Sequence, residues 1–219
     1  MSPTLPETLP YIHPRFVGAA PRRCYGAPLM EPPEHLHTER LRLRPATVTD
    51  ATALFDAYAS DPQATRYLSW RTHETVDETR EFLADAQARW HEGSEFIWVL
   101  VPRASGASTH DDDRSGAPIG AIGAAITPHG VEIGYVLGAV WWGRGLARDA
   151  LTAVMRWLQS QPEVFRVWAY CAVDHLQSAR VLERSGMTYE GTLRRWVVLP
   201  NLADEPCDAW VYSWVRTDR

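Results

Sequence analysis

"AVWWGRGLARDALTAVMRWL", residues 139–158, sets Gly143 and Gly145 directly before an unbroken amphipathic stretch. Such a pair leaves the amides of residues 143 to 147 unobstructed at a helix N-terminus, where the first four N–H groups have no intrahelical partner. With the positive end of the helix dipole behind them, these amides form an anion site whose natural guest is a phosphate or pyrophosphate. Two phosphate loops fail on inspection. The dinucleotide fingerprint needs glycine at 148, where Arg148 stands. A Walker A reading begins with Gly138 and Gly143 but continues Arg144-Gly145 in place of Lys-Ser/Thr. Two glycines at a helix start also serve tight packing, and these six residues alone leave both readings open.

Working outward, the 219 residues suffice for one domain with an appendage. Hydrophobic residues make up 45% and charged residues 22%, the range of ordinary globular chains. No run approaches the ~20 apolar residues that span a bilayer, and the start has neither a basic nor an apolar leader region, so a cytoplasmic protein without membrane partners is expected. Twenty-two basic against 27 acidic residues give a net charge of -5, which argues against nucleic acid as the main partner. All the basic residues are arginine, which excludes Schiff-base lysine chemistry. Cys24, Cys171 and Cys207 are far apart, without metal-ligand spacing, and read as reduced thiols. "HLH" at 35–37 and "HDDD" at 110–113 read as solvated surface, so no metal is expected.

Eight of the 16 prolines fall in the first 33 residues, and residues 1–35 read as an arm ahead of a domain over 36–219. "ERLRLRPA" alternates as a half-buried strand, and "TVTDATALFDAYAS" offers Thr47 or Thr49 as a helix cap. "TVDETREFLADAQARW" predicts a helix capped by Thr75 with Glu78 completing a capping box. Three strands follow, "EFIWVLVPR", "APIGAIGAAI" and "VEIGYVLG", with His129 and Gly130 as the tight turn between the last two. After the glycine-led helix come the strand "FRVWAYCAV", a helix "QSARVLERSG" ending at Gly186, and two closing strands. The order β-α-α-β-β-β-α-β-α-β-β predicts an α+β or mixed α/β fold.

"WGRGLA", residues 142–147, resembles the acyl-CoA loop of the GCN5-related N-acetyltransferases, whose amides hold a pyrophosphate without lysine or metal. With "EIGYVL" before it and "VDHLQSARVLERSGMTYEGTLR" after it, the chain is similar over residues 36–217 to the RimJ/RimL branch of that superfamily. The resemblance implies a mostly antiparallel mixed sheet with splayed parallel strands, flanked by helices. It implies an N-acetyltransferase that uses acetyl-CoA and acts on a protein N-terminal α-amine or a small-molecule amine by direct attack in a ternary complex. A homodimer is compatible with it. Trp142 replaces a polar residue of the general motif, His175 an asparagine, and Leu182 a tyrosine that many relatives use as an acid. The departures at His175 and Leu182 keep open a catalytically weak acyl-CoA-binding sensor, and the arm a partner-binding scaffold.

On that resemblance the main chain of Val136, Leu137 and Gly138 pairs with the pantetheine arm. Trp142, Gly143, Arg144, Gly145, Leu146 and Ala147 take the pyrophosphate, with His175, Ser178 and Arg184 as further cofactor contacts. Glu132 shares strand parity with Gly134 and Val136 and is the candidate general base, against the alternative of a solvated strand-end glutamate. Ser178 is the candidate acid or thiol-positioning hydroxyl, against an ordinary first-turn serine. His175 could donate a proton or merely cap, and Tyr135 reads as core. Trp70 and Trp196 are candidates for shaping the amine site, with core packing as the alternative for each.

Overall fold

The computed structural model describes residues 30–103 and 116–217. Most of the proline-rich arm, Cys24 and the "HDDD" run lie outside the described residues.

Chain order begins with β1 (Leu36–His37) and β2 (Leu41–Pro45), a short α1 (Ala51–Leu54) and α2 (Pro62–Thr65), then the long α3 (Val76–Glu92). Strands β3 (Glu95–Pro102), β4 (Gly120–Thr127) and β5 (Gly130–Leu137) follow. Helix α4 (Leu146–Ser160), β6 (Arg166–Ala172), α5 (Leu176–Arg184), β7 (Thr188–Val197) and β8 (Cys207–Val215) complete it. The strands form one sheet in the order β1-β2-β3-β4-β5-β6-β8-β7, antiparallel except between β5 and β6.

Local chemistry sets the elements. Thr75 Oγ1 accepts the Glu78 amide at 3.4 Å and opens α3, while Gly93, at φ 70°, closes it in the left-handed conformation. Gly186, at φ 86°, stops α5 in a Schellman arrangement, with Met187 N–H donating to the Leu182 carbonyl. Strand β3 is apolar on both faces because it lies mid-sheet with helices on either side.

One core face carries Leu43, Trp98, Ile122 and Ile133 against Leu151, Val154 and Leu158 of α4. The opposite face holds two clusters. Val99, Val101, Leu54 and Leu83 join β3 to α1 and α3, and Ala172, Val197, Leu199 and Ala209 gather at the β6–β8 end. Between them, in sheet order, runs β5.

Three local expectations shift. A short strand, β1, precedes the expected first one and pairs Leu36 with Leu43. The segment after Thr47 is not one regular helix, since a 3-10 turn precedes α1 and a π-helical stretch, Phe55–Ala59, follows it. The β4–β5 turn is Pro128-His129 rather than His129-Gly130. Thr127 and Gly130 are register partners, and Thr127 Oγ1 donates to the Gly130 carbonyl at 2.7 Å, which draws that glycine into the ladder.

Candidate active site

The β5–β6 pairing stops at Val131–Val167 and Glu132–Trp168, and beyond it the strands part. Gly138 N–H donates to the Ile119 carbonyl at 2.9 Å, and Val136 is opposite Ala121 on β4. Strand alternation therefore turns the main chain of Val136 and Gly138 toward β4, and that of Tyr135 and Leu137 into the gap. Of the three residues expected to line the gap with main-chain groups, only Leu137 does so, and Tyr135 joins it. The Leu137 carbonyl is also used from within the chain, accepting from the Trp142 indole Nε1 at 2.8 Å. Trp142 thus braces the loop inward, against the end of β5.

Beyond the gap, Gly143 and Gly145 are both left-handed, at φ 73° and 76°, and Gly145 is the N-cap of α4. A Cβ at Gly143 would meet nothing within 4 Å, so glycine stands there for its backbone conformation and not to clear space. Successive amides in such a turn converge into a nest that suits a diphosphate. Helical bonding resumes with Asp149 N–H to the Gly145 carbonyl.

Arg40, the residue before β2, pins this loop. It donates to the Arg144 carbonyl at 2.6 Å and to Asp149 Oδ2 at 2.8 Å. Sequence reasoning missed it, because a basic residue on an alternating strand gives no hint of a partner more than a hundred residues away. Arg144 itself lies over the Trp141 ring, 5.0 Å from its centroid. Leu146 is buried, and Leu146 and Ala147 form the first turn of α4. Arg184 ends α5 and is exposed, about 12 Å of helical rise from that helix's first residues.

At the first turn of α5, Ser178 is buried and its hydroxyl shares a 2.9 Å hydrogen bond with the Tyr135 hydroxyl, which reaches across from β5. Tyr135 does pack against the core, yet its polar end is spent on Ser178. Leu182 is 1% exposed, in the core beneath. His175 makes no side-chain cap bond and is stacked on Tyr67, centroids 4.1 Å apart. Burial lowers its pKa, keeping the imidazole neutral.

Glu132 lies on the face opposite Val131 and Ile133, in the trough between the two smaller clusters, with exposed Gly134 next along. Burial and then the charge of Glu95 push its carboxyl up to about 7. Burial and then the Glu132 charge raise the neighbouring Tyr170 hydroxyl. Trp196 is 45% exposed and lines a cavity on this face, whereas Trp70 is packed among Tyr58, His73 and Phe82. The loop bearing Trp70 is held by Asn201, whose amide donates to the Thr65 and Trp70 carbonyls at 2.8 and 2.7 Å and whose oxygen accepts from Thr72 N–H at 2.9 Å. Asn201 was not singled out from sequence, where it sits unmarked in a loop. Among the described residues no three His, Cys, Asp or Glu side chains gather as a metal site, and no helix is long and apolar enough to cross a membrane.

A sheet split at its parallel pair, with a desolvated carboxylate beside the split and a helix led by two left-handed glycines beyond it, has the build of an N-acetyltransferase. Residues 40–188 match the family model described as acetyltransferase (GNAT) domain, and the chain belongs to that family. It is 28% identical over 181 residues to an uncharacterized N-acetyltransferase, YoaA, of Bacillus subtilis (strain 168), which covers 83% of this chain and 96% of that protein. Over 71 residues, 32% of this chain and 37% of the relative, it is 31% identical to the ribosomal protein uS5-alanine N-acetyltransferase of Escherichia coli (strain K12). RimL, a ribosomal L7/L12 alpha-N-protein acetyltransferase solved in complex with coenzyme A, shares the fold with a TM-score of 0.70 at 21% identity, over 83% of this chain and 98% of that one. The protein is an acetyltransferase of the GNAT family, with acetyl-CoA as donor.

Proposed function

We propose that the protein moves the acetyl group of acetyl-CoA to a primary amine by direct attack in a ternary complex, with Glu132 as general base. The observation that carries this is the desolvated Glu132 carboxyl, pushed up to about 7 beside the point where β5 and β6 part. A base whose pKa lies near the working pH combines the right protonation state with sufficient basicity. The amine nitrogen bonds to the acetyl carbon as the carbon–sulfur bond breaks. The amine proton goes to Glu132, directly or through water, and the thiolate is left to be protonated.

Ser178 is suited to the sulfur end of the reaction. Its hydroxyl shares a hydrogen bond with that of Tyr135, and with the tyrosine as donor its own proton is left to be offered to the sulfur without the tyrosine that Leu182 replaces. Amides of residues 143 to 147 would receive the pyrophosphate, and the gap-facing groups of Tyr135 and Leu137 the pantetheine amides. Both acceptor classes fit this chemistry, a protein α-amine, in keeping with the alpha-N-protein acetyltransferase RimL, and a small-molecule amine.

Thiol release from acetyl-CoA over a panel of short peptides and small primary amines tests the reading. Acetyl transfer should rise with pH through about 7, where Glu132 ionises. Glu132→Gln should lower kcat roughly 10²–10³-fold, and Ser178→Ala should cost less. Binding of acetyl-CoA with no transfer to any amine would leave a sensor instead.

A further inference from the structure

On the Glu132 face, at the far side of β6, a cavity of about 410 Å³ opens between β6, β7 and β8. Its walls include Trp168, Trp196, Leu193, Val211 and the Arg166–Glu190 pair. Trp168 is the register partner of Glu132 across the last bonded rung before the split. Since neighbouring strands lie about 4.8 Å apart, a group seated against Trp168 is within a two- or three-atom linker of the carboxylate.

The polar wall is not an open charge. Glu190 is displaced from the β7–β8 ladder at a bulge, where the register steps from Tyr189 to Gly191, and its carboxylate is gripped by the Arg166 guanidinium fork and by the Ser213 hydroxyl at 2.6 Å. The Arg166 contact, aided by Ser213, holds that carboxyl at about 2, so it stays ionised and paired. A cationic side chain entering the cavity would have to compete with a fork already in place. The remaining walls carry Leu193, Val211 and the two tryptophans, with His129 and Thr192 beside them. Trp168 is 5% exposed, forming the floor, while Trp196 stands 45% exposed at the side.

The side wall is held by an unusual backbone. Between Leu193 and Val197 the register breaks again, and Arg195 adopts φ 46°, rare for a residue with a side chain. It is secured by its N–H to Asp208 Oδ1 at 2.7 Å and by an ion pair with Glu205 at 2.8 Å. Backbone strain of this kind persists only where surrounding contacts over-determine it. Here it positions the neighbouring Trp196, a large ring left largely to solvent.

We propose that this cavity is the acceptor site and that it selects a primary amine joined by a short linker to a flat, uncharged aromatic body. The inference rests on the acetyltransferase reading above and adds the substrate class. The volume suits a small molecule better than an extended peptide. The exposed Trp196 indole offers a stacking face above the Trp168 floor, and Glu132 waits one strand away for the amine.

The test compares kcat/KM for an arylethylamine, a linear alkylamine of similar length and a tetrapeptide with a free N-terminus, all with acetyl-CoA. The arylethylamine should lead by tenfold or more. Trp196→Ala should raise its KM at least tenfold and that of the alkylamine by a clearly smaller factor, and Trp196→Phe should restore most of the loss. Tryptophan fluorescence titration with the arylethylamine alone should show saturable quenching that weakens in Trp196→Ala. A preference for the peptide, or indifference to Trp196→Ala, overturns this assignment while the acetyltransferase reading stands. Failure to transfer acetyl to any amine overturns the reading beneath it.

Discussion

Burial and the charge of Glu95 push the Glu132 carboxyl up to about 7, so near neutral pH the folded protein retains a proton that the unfolded chain has released. The folded state therefore binds more protons than the unfolded one between the ordinary carboxylate range and about 7. Stability falls as pH rises through that window and the deficit is complete above it. Glu132→Gln removes the penalty. At pH 8 it should raise stability by about 1–3 kcal/mol, equivalent to roughly 3–8 °C in Tm for a chain of this size. At pH 4, where both states are protonated, thermal melts of the two forms should coincide. Equal melts at pH 8 would mean that water reaches the carboxylate freely. The side of the strand on which Glu132 lies was legible, because parity with Gly134 needs only the strand period. Its neighbour Glu95 was not, since the two are brought to one row of the sheet through Ala125. Tyr135 shows the same limit. Its apolar ring marked it as core, but its hydroxyl's partner comes from a helix 43 residues on.

At the scale of the element, the glycine-led helix start was legible and its reason was not. Gly143 has open space around it and Gly145 has only the Arg40 guanidinium nearby, at 3.2 Å from an added Cβ. Left-handed backbone, rather than crowding, is what excludes other residues. Gly143→Ala should cost about 1–2 kcal/mol in chemical unfolding, with Gly143→Asn milder and Gly143→Val worse. The KM for acetyl-CoA should climb in the same order, because a loop that relaxes to negative φ turns its amides away from the diphosphate. A KM untouched by Gly143→Val would place the pyrophosphate elsewhere. The β4–β5 turn illustrates a complementary limit. Glycine at 130 suggested a turn position, but the Thr127 side chain and the preceding Pro128 set the register one residue earlier.

At the scale of the whole molecule, the trough has two walls from segments far apart in sequence, and Asn201 ties them. Four hydrogen bonds join it to Thr65, Trp70 and Thr72, three of them to main-chain groups, and the Tyr67–His175 stack adds a second tie to the start of α5. Asn201→Ala removes the partner it gives to the Trp70 carbonyl and the Thr72 N–H, while the Thr65 carbonyl keeps the Leu68 N–H, and should cost about 2–3 kcal/mol. With the Trp70 loop loosened, the KM for the amine should rise several-fold while that for acetyl-CoA moves less. An equal rise in both would mean that the clasp supports the entire fold rather than the acceptor side.

The sequence by itself determined the strand and helix periods, the capping of α3 and α5, the glycine-led start of α4 and the parity of Glu132. Each is fixed by residues within a few positions of one another, where propensity and sterics act locally. Only the tertiary structure decided that Arg40 braces the loop, that Tyr135 meets Ser178, that Val136 and Gly138 face away from the gap, and that Trp196 rather than Trp70 lines the cavity. Those outcomes depend on strand register and on which faces bury against each other. Both are settled by the packing of the whole sheet, and no local pattern encodes them.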